Sequence, residues 1–516
     1  MLCLVGNTLR AQHFFNKREM YHSFSCVSNS SIEKNNKHYI LNVSLDNTYF
    51  QGQGQLPYAF SIRTLVLNQQ GDILYNNIYH DSSRDFYLPN RGVLNVLNET
   101  TFVAAVYAID DSGRYVQSVL LLDTFGNVLQ DKELTTSEVF NPLLDFVFLP
   151  DHQYLVTSNL TDYTAQANDN ISLKKLDSSF NIIWQKQYGH PTWHDGGNKI
   201  LVMSDGYILV GILMNVNLPV NSNQYIFKPQ IIKVDTGGNV MWTWRGDTSH
   251  YDYAINDIVS TPDGGYLYAG QGSGIRQVNG WTVSHAYKSI VVKLDAQRQE
   301  QWRIETDSLI TSAGYGGTTK ILPLPNDEYI LVGTVRDSNY TTGKVALCGF
   351  LIKMNGQGQV LWNRHYLPPD YDQIPSNQFL YDVAQTGDGG FVMVGECRNH
   401  YQNPTPTQRS WILKVDSLGC LGPNDPQCQP VVKINEPERL QAKVKIYPNP
   451  GQEGFTAEGH SPRQQHLQVY NLLGQKLRTE SIPQGFFKKD IVATGWPQGL
   501  YLVEINGEVY RWMKGE

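Results

Sequence analysis

The chain has 516 residues, 41% hydrophobic but only 17% charged, with 30 Tyr, 10 Trp and 44 Gly, a mix suited to many short strands joined by tight turns. The net charge of −7 and the lack of a Lys/Arg run argue against nucleic acid as a partner. No apolar stretch approaches the ~18 residues a membrane helix needs.

The first eleven residues, MLCLVGNTLRA, read as the remnant of a signal peptide ending at the small residue Ala11. A basic leading region is missing and the apolar run is short. That leaves either a start codon placed too late or a plain terminus.

From residue 12 to 422 one unit recurs. A strand ending in an apolar residue and Asp or Asn closes at Asn68, Asp123, Asp177, Asp235, Asp295, Asn355 and Asp416, at intervals of 55, 54, 58, 60, 60 and 61 residues. Seven positions after four of these anchors stand Trp184, Trp242, Trp302 and Trp362. Tyr75 and Gln130 take that place in the first two repeats. Upstream of each anchor a turn leads into an aromatic-led apolar strand, starting at Tyr39, Phe102, Tyr154, Tyr207, Tyr266, Tyr329 and Phe391. With another short strand before it, each repeat reads as four strands, A to D.

The anchor turns read Asp-x-x-Gly-Asn, and Gly and Asn tolerate the left-handed backbone of a tight hairpin. A four-stranded unit repeated around an axis is a propeller blade, so the expected fold is all-β with a seven-bladed β-propeller. The seventh repeat lacks a D strand, whereas the first has spare sequence at His13–Glu19. An N-terminal strand closing the last blade would remove two exposed sheet edges. The tryptophans are then structural, buried between blades. Lys175, Lys233, Lys293, Lys353 and Lys414, each two residues before an anchor, read as solvated or edge-protecting.

Residues 423–441 carry proline and charge without periodicity and read as a linker. Cys420 and Cys428 flank its start, and export would allow them to close a small disulfide loop or leave two thiols. Cys26, Cys348 and Cys397 fall in or beside strands as buried thiols.

Residues 442–516 change character. Tyr447-Pro448-Asn449-Pro450, then Val469-Tyr470-Asn471 with Gly474, then Gly499-Leu500-Tyr501-Leu502 separate alternating strands, enough for a small Ig-like β-sandwich. This succession resembles the type IX secretion C-terminal sorting domain. The resemblance implies export through the outer membrane, recognition of the module by the type IX secretion machinery, and a secreted or surface-attached product. The repeats resemble propellers found ahead of such domains, which carries a fold and a location but no activity.

Chemistry is sparse. The sequence holds no GxSxG elbow, HExxH, Walker loop or convincing dinucleotide fingerprint, and no cofactor or metal is expected. The D-to-A connections gather polar aromatics, with His190, Trp193, His194, Asp195, Tyr251, Tyr253 and Tyr371 as candidate ligand-binding residues. They would line one mouth of the funnel as a surface for a glycan or peptide. Acidic residues from distant blades meeting at the funnel would instead make a hydrolase or lyase acting on polysaccharide.

Overall fold

A computed structural model describes residues 13–19, 25–46, 59–89, 92–137, 141–160, 169–190, 194–215, 226–246, 252–278, 281–305, 317–337, 346–399, 407–428, 444–461, 464–472, 474–505 and 508–515. The expected signal-peptide remnant lies outside them. The chain divides into two compact units, Met1–Gln429 and Pro430–Glu516.

The described residues of the first unit form seven antiparallel sheets, six of four strands and one of five. The first runs Ser25–Lys34, Lys37–Asp46, Ala59–Leu67 and Ile73–Tyr79, and sheets 3 to 6 repeat that consecutive order. Each sheet packs on the next in chain order, and the seventh packs on the first. The arrangement is cyclic and propeller-like, with the A strands innermost. Sheet 2 departs from the pattern, because its A strand is split into Arg84–Tyr87 and Leu94–Val96.

The anchor residues explain the C-to-D turns. Asp235 Oδ1 accepts the backbone N–H groups of Gly237 and Asn239 at 2.9 and 2.8 Å, and its Oδ2 takes the Asn239 carboxamide at 2.9 Å. Asp123 and Asp177 repeat this arrangement. One side chain thus satisfies three donors of a turn that lacks ladder partners. The third turn position needs positive φ, met by Gly238 at 80° but also by Phe180 at 63° and Arg298 at 67°. Phe180 offsets that strain by stacking on Tyr154, and Arg298 by lying 4.6 Å over the Trp242 ring.

The seventh sheet closes as the sequence suggests. Phe15–Glu19 pairs antiparallel with Thr407–Val415, with Phe15 opposite Lys414. Trp184, Trp242, Trp302 and Trp362 stand opposite Lys175, Lys233, Lys293 and Lys353 in the same way. Phe15 therefore holds the tryptophan position of the seventh sheet. Each such ring covers the anchor turn of the following sheet. A Cβ built at Gly238, Gly358 or Gly419 would lie 3.0–3.1 Å from the ring of Trp184, Trp302 or Trp362, and one at Gly71 would overlap Phe15.

The four tryptophans are partly exposed but keep most of their surface covered. Two expectations need correction. Lys233, Lys293 and Lys414 are neither solvated nor at an edge. They sit on interior C strands, 7%, 5% and 1% exposed, and pair with Asp205, Asp263 and Asp388 of the A-to-B turns. The start of the supposed linker is docked, not free. Cys420 and Cys428 are bridged, and Gln427 exchanges two 2.8 Å hydrogen bonds with the His365 backbone. Its remainder, from residue 429 to 441, lies outside the described residues.

The second unit is a sandwich of a three-stranded and a four-stranded sheet around Phe455, Leu467, Val469, Ile491, Tyr501 and Trp512.

Candidate functional site

In six of the seven sheets the A strand carries a β-bulge at a corresponding register, as between Leu143 and Asp145 or between Ile255 and Asp257. A bulge re-aims the residue after it. From sheet 3 to sheet 7 that residue is Asp145, Lys199, Asp257, Lys320 and Asp382, an alternation of charge around the inner ring. Sheet 1 supplies Ser30, fully buried, whose hydroxyl accepts the Leu94 N–H of sheet 2 at 3.1 Å.

The three carboxylates are 1–3% exposed and committed. Asp145 takes the Ile200 N–H at 2.8 Å on one oxygen and Lys199 Nζ at 3.1 Å on the other. Asp382 takes the Ser31 N–H at 2.9 Å and the Lys320 ammonium. Asp257 takes the N–H groups of Ile321 at 2.8 Å and Ile258 at 3.0 Å. Each thereby accepts from the A strand of the following sheet. Burial opposes the charge of Lys199, but Asp145, Asp257 and Asp382 outweigh it and raise its pKa. The bulged residues add a second rung, as Asn198 donates to Ile255 O at 2.8 Å and Asn256 to Thr318 O at 2.9 Å. This belt needs no ligand to satisfy it, and it suits a structural zipper better than proton transfer.

Among the described residues, the sequence candidates His190, His194 and Asp195 share one connection and Tyr371 belongs to another. Trp193 and Tyr251 lie outside the described residues, and so does the side chain of Tyr253. Asp195 is 1% exposed and receives Gln230 Nε2 and the His190 N–H, both at 2.5 Å. Burial raises its pKa, against the opposing effect of those hydrogen bonds. His194 Nδ1 accepts the Asp169 N–H at 3.2 Å. These residues tie a connection down. Tyr371 belongs to the sixth-to-seventh connection, which Asn16 and Arg18 of the closing strand fasten through Leu367 O and Ile374 O at 2.8 and 3.1 Å.

A locus that sequence reasoning missed lies on sheet 2. A pocket of about 750 Å³ opens between the connection from sheet 1, the B-to-C turn and the D strand. Asp81 and Arg84 wall one side, Asp110, Asp111 and Arg114 another, and Asp131 and Glu133 the third. Arg84 bridges Asp81 and Asp131 at 2.6 and 2.8 Å, while Arg114 pairs with Asp110 at 2.7 Å. The nearest sequence signal was Gln130, the one non-aromatic residue at the tryptophan position.

In the second unit Pro448, Asn449 and Gly451 fasten the last strand. Pro448 O accepts the Trp512 indole N–H at 2.9 Å. The Asn449 carboxamide brackets the last strand, donating to Arg511 O at 2.8 Å and accepting the Met513 N–H at 2.9 Å. Pro450 precedes Gly451, whose N–H bonds Met513 O at 3.0 Å. The exposed Tyr447 hydroxyl bonds Glu458. Gly474 and Gly499 supply positive φ at 78° and 144°, and buried Tyr501 donates to Pro497 O at 2.5 Å.

Residues 445–514 match the family described as secretion system C-terminal sorting domain. The chain therefore carries a type IX sorting module, and the protein is exported, either secreted or attached to the outer membrane at the cell surface. No helix among the described residues is long and apolar enough to cross a membrane. No curated protein matches the chain in sequence. Among solved structures, Drosophila semaphorin 2a aligns at 7% identity over 98% of this chain and 97% of its own, with a TM-score of 0.45. A Synechocystis apocarotenoid oxygenase variant aligns at 11% identity over 79% and 91%, with a TM-score of 0.40. A Fusarium graminearum α-L-arabinofuranosidase aligns at 10% over 66% and 96%, with a TM-score of 0.38. At these values none informs the activity of this chain.

Proposed function

We propose that the chain is an exported seven-bladed β-propeller that binds an extracellular glycan, peptide or surface partner on the face carrying its B-to-C and D-to-A connections, without turning it over. The observation behind this reading is the committed state of Asp145, Asp257 and Asp382. A glycoside hydrolase needs two carboxylates flanking a shared space, one free to carry a proton. Here each carboxylate is occupied by ammonium or backbone N–H donors. The convergence of three acids still favours a polysaccharide hydrolase or lyase as the second reading.

The test presents the purified full chain to a glycan array and to outer-membrane proteins, and assays it on the polysaccharides it retains. Retention without cleavage is the expected result. Cleavage that disappears in a folded Asp257→Asn variant would replace binding with hydrolysis.

A further inference from the structure

In a repeat array, features shared by every repeat belong to the fold, and departures in one repeat are where function enters. Sheet 2 departs most. Its A strand is split, its D strand lacks the aromatic residue, and only four residues join its B and C strands. Sheets 1, 3, 4, 6 and 7 use seven to twelve there, and sheet 5 uses two. Beside that short turn, with Asp111 N–H bonded to Ser83 O at 3.1 Å, opens the 750 Å³ pocket.

The pocket chemistry has one sign. Asp81, Asp110, Asp111, Asp131 and Glu133 face two guanidiniums, Arg84 and Arg114, so acidic groups outnumber basic ones in its lining by five to two. The residue after the tryptophan position is Asn76, Gln185, Thr243, Arg303, Asn363 or Asn16 in the other sheets, and an acid, Asp131, only here. The Asp131 side chain is 9% exposed. Its Oδ2 receives the Tyr79 hydroxyl at 3.1 Å and Arg84 at 2.8 Å, but its buried Oδ1 has no hydrogen-bond partner. A buried carboxylate oxygen without a donor costs free energy that a donor entering the pocket would recover. The unmet demand is thus for donors carrying positive charge. Among the described residues no three acidic, His or Cys side chains are grouped to hold a metal ion, which disfavours a bare cation.

We propose that this pocket binds ammonium or guanidinium groups, presented as Lys or Arg side chains of an extracellular polypeptide. The proposal rests on the binding reading above and assigns it a site and a ligand class. Asp111, exposed on the turn, meets the incoming charge first, and Asp131 receives it at depth.

The experiment is calorimetric titration of the full chain with tetra-arginine, tetra-lysine, spermine and CaCl2. The cationic peptides should bind with an affinity that falls as salt rises, and spermine more weakly. Asp111→Lys, a change at an exposed turn residue, should weaken peptide binding at least tenfold without altering the melting temperature. Asp131→Asn should weaken it at least as much, with circular dichroism reporting whether the fold is kept. Absence of peptide binding, equal binding by Asp111→Lys, or a preference for spermine or Ca²⁺ over the peptides would each overturn the proposal. Retention of a glycan or surface protein by Asp111→Lys would then leave the broader binding function standing without this pocket.

Discussion

The indole N–H of Trp411 donates to the side-chain oxygen of Asn16 at 2.8 Å, across 395 positions of sequence. Trp411 is fully buried in the C strand of the seventh sheet, and Asn16 belongs to the strand that completes it. Asn16 also donates to Leu367 O, and Arg18 pairs with Asp370 at 3.1 Å from a side chain 2% exposed. The two ends of the cyclic unit are thus joined by a ladder and by buried polar contacts.

Phe15→Ala should destabilise the first unit by about 3 kcal/mol, the usual range for emptying a buried aromatic site. Deleting residues 1–20 should cost more, since it also exposes the edge of Thr407–Val415. Urea denaturation of the full chain reads both. A midpoint unchanged by the deletion would show that the closing strand contributes nothing.

The inner belt predicts an asymmetry. Asp145→Asn leaves Lys199 without its nearest counter-charge, and should cost about 3 kcal/mol, as breaking one side of a buried pair does. Lys199→Met combined with Asp145→Leu should recover part of that loss. Thermal melts of the single and double variants check this, and an Asp145→Asn melt equal to wild type would remove the belt from the stability account.

His38 gives the unit an acid-sensitive seam. Its ring is 1% exposed, packs edge-on to Phe15, and has no hydrogen-bond partner at either nitrogen. Burial, with Lys414 adding to it, lowers its pKa from 6.5 to about 4, while Asp388 opposes the shift. Above pH 6.5 both folded and unfolded chains hold it neutral and it has no effect. Between 6.5 and about 4 only the unfolded chain takes the proton, so stability falls with pH by about 3 kcal/mol in all. His38→Leu should flatten stability over that window. Asp263 and Asp388, with pKa values held to about 2, lose their contributions only at lower pH.

Trp242→Ala should cost about 2 kcal/mol, less than a core aromatic, because the ring is partly exposed where it packs on Tyr266 and over the Arg298 turn. Gly238→Ala should cost a similar amount, since it forces alanine to a φ of 80° against the Trp184 ring. Paired denaturation curves measure both. A neutral Gly238→Ala would show that the turn relaxes away from the ring.

Asn449→Ala should loosen the last strand of the sorting module by about 1–2 kcal/mol, through two lost hydrogen bonds and an unpaired Met513 N–H. Export in a host with the secretion machinery should fall, while melting of the first unit stays where it was. A coupled fall in that melting would mean the two units do not fold separately.

Sequence alone determined what local geometry dictates. The anchor Asp caps its own turn through groups two and four residues away, so the motif had to recur wherever the turn did, and its period marked the sheets. The same locality made Tyr447–Pro450, Gly474 and Gly499–Leu502 readable as one module. The tertiary structure alone decided which side chains meet between sheets. Asp145 reaches Ile200 N and Asp257 reaches Ile321 N across 55 and 64 positions. Asp382 reaches Ser31 N across 351 positions. Nothing near those residues announces the contact, because only the bulge in each inner strand turns them toward the next sheet. Lys233, Lys293 and Lys414 looked like surface charges for the same reason, since their acidic partners come from a turn on another strand. The pocket of sheet 2 was hidden likewise, its walls being three segments that the fold, not the sequence, brings together. A contact spanning a few residues leaves a spacing in the chain, while one made by closing a ring leaves only residue types.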